Sequence, residues 1–204
     1  MTHELPESYT ISLPAWLRAE LPELPEFVVG HEAQMQLVHR LARRNFVEGN
    51  GGPFAAIVVE RESGRLVSVG VNVVLASQIS SSHAEVVALG LAQSAIGSWN
   101  LRGDGVVRDL IVNWRPCVQC YGATFWSGAA GLVIAGSGSE LEEITTFDEG
   151  PMRDDWREQL EQRGMTVQSD VLRDEAIEVF EAYRAAVDAE NVTVYNADHA
   201  APAS

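Results

Sequence analysis

The sequence predicts an α/β domain built on a mixed β-sheet with helices on both faces. Three observations carry this. FAAIVVE and RLVSVGVNVV are β-branched runs joined by the tight ESG turn, the pattern of a hairpin. DLIVNW, CVQCYGATFWSG and GLVIAGS then alternate strand, helix and strand. HEAQMQLVHRLARRNFVEG places Met35, Val38, Leu41, Ala42 and Phe46 three or four apart, the spacing of one helix face, and ends at Gly49.

The remaining elements follow in order. Residues 1–30, rich in proline and glutamate, read as an N-terminal extension with one short helix. The turn-rich NGGP leads into the hairpin, and an apolar stretch from His83 to about Ile96 reads as a helix. Toward the C-terminus the pattern gives a helix near 153–163, a short strand TVQSD, a helix from about Leu172 to Ala189 and a tail at 198–204. The main domain is expected over 31–197.

Composition narrows the class. At 204 residues, 46% of them hydrophobic, the chain can bury a real core as a single domain with extensions. No apolar run approaches the roughly 18 residues of a membrane span, and MTHELPESYT lacks a basic start followed by an apolar core, so a cytoplasmic protein is expected. Net charge is −15 and all 14 basic residues are arginine. The one basic cluster, Arg40, Arg43 and Arg44, has the spacing of a helix's wet side, so a nucleic-acid partner is not expected.

The chemistry lies in two short stretches. In RPCVQC, Cys117 and Cys120 are i and i+3 and share a helix face near its start at Pro116, where the helix dipole favours thiolates. A C-x-x-C pair alone suits zinc or a thiol–disulfide couple, and the redox motif is expected earlier in its fold than here. SSSHAEVVALGLA sets His83 and Glu85 at the head of an otherwise apolar helix. Imidazole plus two thiolates makes three protein ligands and leaves a fourth zinc position open, the pattern of a catalytic site. Zinc lowers the pKa of a coordinated water to about 7. Glu85, two residues from a ligand, can move that water's proton without ligating the metal. His-x-Glu followed by Pro-Cys-x-x-Cys is the signature of zinc-dependent nucleobase deaminases, and HAE and PCVQC reproduce it in order.

On these residues the chain resembles the cytidine deaminase-like superfamily, and within it the bacterial guanine deaminases. GGPFAAIVVE, GVNVV, HAEVVAL, PCVQCYGATFWSG, FDEGP, LRDEAIEVFEAYRAA and VYNA carry the resemblance, over roughly residues 31–197. It implies a three-layer αβα fold with a five-stranded mixed sheet, one zinc per chain on His83, Cys117 and Cys120, and Glu85 and Glu149 as catalytic groups. It further implies that Asn72 bonds the base edge, Phe54 and Trp126 form aromatic walls, and Ala84 and Tyr195 contact substrate. Such enzymes are homodimers whose C-terminal elements reach the neighbour's site, which gives Tyr195, Asn196 and the segment near 172–197 that expected role. The implied reaction is hydrolytic release of ammonia from a free base, guanine or a related amino-heterocycle. The chain departs from the guanine branch at NWRPC, where the residue before Pro-Cys is usually glutamate and here is Arg115, preceded by Trp114. That departure leaves cytosine analogues or s-triazines such as 5-azacytosine and ammeline as the alternative.

Three rivals stand beside this reading: a tRNA-editing deaminase, disfavoured by the acidic balance; a redox protein; and a scaffold with structural zinc. The scaffold needs a fourth protein ligand; there is no third cysteine, and His31, His39 and His199 are candidates by default.

Overall fold

The computed structural model describes residues 5–196. In it, β1 (Ala55–Glu60), β2 (Leu66–Val71), β3 (Arg108–Val112), β4 (Gly131–Ile134) and β5 (Thr166–Gln168) form one sheet in the order β2-β1-β3-β4-β5. β1 is antiparallel to β2 and to β3, while β3–β4 and β4–β5 are parallel, so the sheet is mixed. The helices are α1 (Ala15–Glu20), α2 (His31–Val47), α3 (Val74–Ser77), α4 (Ala84–Ile96), α5 (Val118–Ser127), α6 (Glu140–Thr145), α7 (Trp156–Glu161) and α8 (Arg173–Asp188).

The period-2 alternation of the strands divides the core into two layers. Ala55, Ile57, Val59, Ile111 and Val133 pack with Met35, Val38 and Leu41 of α2 and with Val179, Phe180 and Tyr183 of α8. Ala56, Val58, Leu110, Val112, Leu132 and Ile134 pack with Ala84, Ala88 and Ala92 of α4 and Leu160 of α7. Both faces of the sheet are therefore covered, as the αβα class requires. The N-terminal extension is docked: Leu17 is fully buried, Trp16 lies under Arg44, and Glu20 pairs with both Arg40 and Arg44. Two of the three arginines in the basic cluster are spent on that internal contact.

Two local differences from the sequence expectation have clear causes. The β-branched run to Val74 does not remain strand: β2 ends at Val71, and the Val74 N–H donates to the Asn72 side chain (3.2 Å), which turns the chain into α3. α6 was not expected from SGSELEEITT, because its six residues are too few to show a helical period, although Leu141, Ile144 and Thr145 pack inward.

Candidate active site

Two helix starts meet at the ends of the strands. His83 is the N-cap of α4 and Cys117 the N-cap of α5, both in extended conformation, so their side chains project from adjacent helix heads. His83 Nδ1 lies 3.4 Å from Cys117 Sγ and 3.5 Å from Cys120 Sγ, and the three donor atoms fall within 4.8 Å of one another. A tetrahedral ion with ordinary Zn–N and Zn–S bonds sets neighbouring N and S ligands about 3.5 Å apart. The donor set fits zinc in identity and in spacing. No fourth His, Cys, Asp or Glu joins the cluster among the described residues. His39 is buried in α2, His31 opens that same helix, and His199 lies outside the described residues.

The cluster shares protons unequally. A hydrogen bond from Cys120, aided by His83 and opposed by burial, brings the Cys117 thiol down to about 4. Burial pushes the Cys120 thiol well up. Burial alone would lower His83, yet its bond to Cys117 and the nearby charges of Glu85 and Glu149 raise it. Glu85 is raised by burial and then by Cys117, and it stands outside the three-donor cluster. Glu149 is pushed up to about 8, first by burial, then by Cys117 and Glu85, against the pull of Arg115. Two buried carboxyls with raised pKa values beside a metal-type donor set are the equipment of general acid–base catalysis.

These groups open onto a cavity of about 420 Å³ whose wall includes Phe54, Asn72, Glu149 and Tyr195. Asn72 is held rigidly: its N–H donates to the Phe54 carbonyl (3.1 Å) and its own carbonyl accepts from the Asn45 amide (2.7 Å). Gly51 lets the chain pass this close, since a Cβ there would lie 2.3 Å from Asn72 Oδ1. The loop bearing Glu149 is tied to α5 by the Val118 N–H donating to the Glu149 carbonyl (3.0 Å). An aromatic wall forms where Phe147 meets Phe54 (5.5 Å), Tyr195 (5.1 Å) and Tyr183 (5.6 Å, stacked).

Of the site residues expected from sequence, the structure gathers His83, Glu85, Cys117, Glu149, Phe54, Asn72 and Tyr195 around this cavity, with Cys120 behind Cys117. It corrects two. Trp126 lies near the far end of α5, 76% exposed and packed edge-on against Phe125, because its place on the helix turns it away from the end that holds the cysteines. Ala84 is not in the cavity wall; its methyl is buried in the layer under β2, set by the packing of α4 on the sheet. Tyr195 and Asn196 line the cavity of their own chain: Tyr195 Oη accepts from the Gly52 N–H (3.3 Å), and Asn196 bridges the Asp148 N–H (3.1 Å) and the Thr146 carbonyl (2.8 Å). Phe147 and Ser80 were not singled out in the sequence; an aromatic directly before DEGP was the signal for Phe147.

A three-donor zinc-type centre, a non-ligating carboxyl beside it and a cavity large enough for a heterocyclic ring define a hydrolytic deaminase. The chain belongs to the family described as the cytidine and deoxycytidylate deaminase zinc-binding region, whose model matches residues 29–136. It is 30% identical over 115 residues to a guanine deaminase of Bacillus subtilis (strain 168), covering 56% of this chain and 70% of that protein. A solved guanine deaminase from Nitrosomonas europaea superposes with a TM-score of 0.82 at 38% identity, covering 90% of this chain and all (100%) of that one. A related protein solved in complex with 2,6-diaminopurine gives a TM-score of 0.83 at 39% identity, covering 93% and 97% of the two chains.

Proposed function

We infer that the protein deaminates a free amino-heterocycle, guanine above all, converting a ring carbon that bears NH₂ into a carbonyl with uptake of water and release of ammonia. The observation that carries this is the meeting of the His83–Cys117–Cys120 donor set with two buried carboxyls, Glu85 and Glu149, in one cavity. The likeness to guanine deaminases over nearly the whole chain supports the choice of base.

His83, Cys117 and Cys120 would hold a zinc ion, which would supply an activated water at neutral pH. Glu85 would move a proton to the ring nitrogen beside the reacting carbon. Glu149 holds the ring N–H and carries a proton to the departing amine. Phe54 and Phe147 pack the flat faces of the ring, and Asn72 bonds its edge. The protein acts as a cytoplasmic homodimer, for which the exposed Trp126 and Val118 on α5 offer an apolar face. The domain works as one unit over 31–197.

A second reading, cytosine analogues or s-triazines, is favoured by one observation, the Trp114–Arg115 pair in the cavity wall. Ammonia release from guanine, 5-azacytosine, ammeline, cytosine, cytidine and dCMP separates the two. Guanine as best substrate with no activity on dCMP supports the first reading; dCMP or cytidine as best substrate defeats both.

A further inference from the structure

Arg115 lines the active-site cavity alongside Glu149, and the deamination chemistry gives it no task. Its backbone is fixed, with the Arg115 N–H donating to the Gly136 carbonyl (2.8 Å) and Pro116 following. Its Nη1 is buried with no hydrogen-bond partner. Arg108 and Arg153 are spent on Asp104 and Asp155, whereas Arg115 forms no ion pair among the described residues, not even with Glu149. A guanidinium that lines a cavity and forms no ion pair calls for an acceptor brought by the ligand.

The two side chains have opposite appetites. A guanidinium only donates, whereas the Glu149 carboxyl accepts through its carbonyl oxygen whether or not it is protonated. The wall is therefore complementary to a ring edge carrying an N–H beside an exocyclic oxygen. Guanine presents that edge next to its amine-bearing carbon. A diamino ring presents a second amine where the oxygen would be, and its N–H would face the guanidinium, donor against donor. We propose that Arg115 is a specificity-determining residue that donates to an exocyclic oxygen of the substrate ring, so that the site takes amino-oxo heterocycles in preference to diamino ones. This rests on the reading of the site as a base deaminase and adds the substrate's distinguishing group.

The test measures binding, so that it does not depend on turnover. Zinc-loaded Glu85→Gln protein, with Arg115 intact or replaced by Gln, Leu or Lys, is titrated calorimetrically with 8-azaguanine and with 2,6-diaminopurine. With Arg115 present, the oxo ring binds about 10- to 100-fold tighter than the diamino ring, the discrimination expected of one charge-assisted hydrogen bond. Arg115→Gln and Arg115→Leu lose most of that preference while keeping one zinc per chain and an unchanged melting temperature, and Arg115→Lys restores part of it. Equal binding of the two rings with Arg115 present, binding of neither, or a preference that survives in both the Gln and Leu variants overturns the proposal. Failure of the deamination reading shows separately, as absence of ammonia from every base in the panel.

Discussion

Gly70 of β2 lies directly against the head of α4: a Cβ at Gly70 would come within 2.3 Å of the Ala84 carbonyl oxygen and 2.5 Å of the Ala88 amide nitrogen. The helix that carries His83 and Glu85 thus rests on bare backbone, and the absence of a side chain at one strand position sets how near those two residues come to the cysteines of α5.

Gly70→Val is therefore expected to displace α4, cost about 1–3 kcal/mol of stability as overpacking does, and lower the zinc content of the purified protein. Calorimetric melting together with metal analysis checks it. A variant with normal melting and a full complement of zinc would show that the close approach does not position the site.

Glu85→Gln separates holding the metal from moving the proton, since the carboxyl stands outside the three-donor cluster. Zinc should be retained and ammonia release should fall by about 10²–10⁴-fold, the usual contribution of general acid–base catalysis. Metal analysis and turnover on the same preparation give the answer. Normal turnover in the variant would move the proton-carrying role to another group.

His39 makes stability sensitive to acid. It is buried between α2 and α8, neither ring nitrogen has a hydrogen-bond partner, and burial followed by the nearby Arg43 lowers it to about 4. The Glu175 carboxylate 3.6 Å away would act the other way, but Glu175 is 46% exposed and screened by water, so burial prevails. With a folded pKa below the ordinary value of about 6.5, the unfolded chain binds the proton first; stability is complete above pH 6.5 and falls as pH drops toward 4, by at most about 1.4 kcal/mol per pH unit. Denaturant unfolding of wild type and His39→Phe between pH 7 and 4.5 checks the sign. Parallel pH dependences for the two proteins would remove His39 as the cause.

Much of this was legible in the chain, for reasons that differ by element. α2 and α8 bury one stripe each, so a 3.6-residue period marks them, and Gly49 marks the end of α2. The metal donors were legible because each ligand stretch is contiguous and opens a helix. α3 and α6 were not, being too short for a period to show. The strand end at Val71 was hidden because a side-chain bond at Asn72 overrides the β-branched preference of Val73 and Val74. The directions of the Trp126 and Ala84 side chains were not legible, because resemblance gives a position along the chain, while direction is set by the packing of α5 and α4. The unpaired Nη1 of Arg115 is a property of three-dimensional surroundings that no spacing reveals.

In the proposed function, His83, Cys117 and Cys120 hold one zinc which, with Glu85, drives deamination of a free base. The most direct measurement strips the protein of metal with a chelator, returns zinc in graded amounts and follows ammonia released from guanine. The account predicts a rate that rises linearly and levels at one zinc per chain, with xanthine formed in equal amount to ammonia and no recovery in Cys120→Ala. Ammonia release independent of added zinc, or none from guanine at any zinc level, would contradict it.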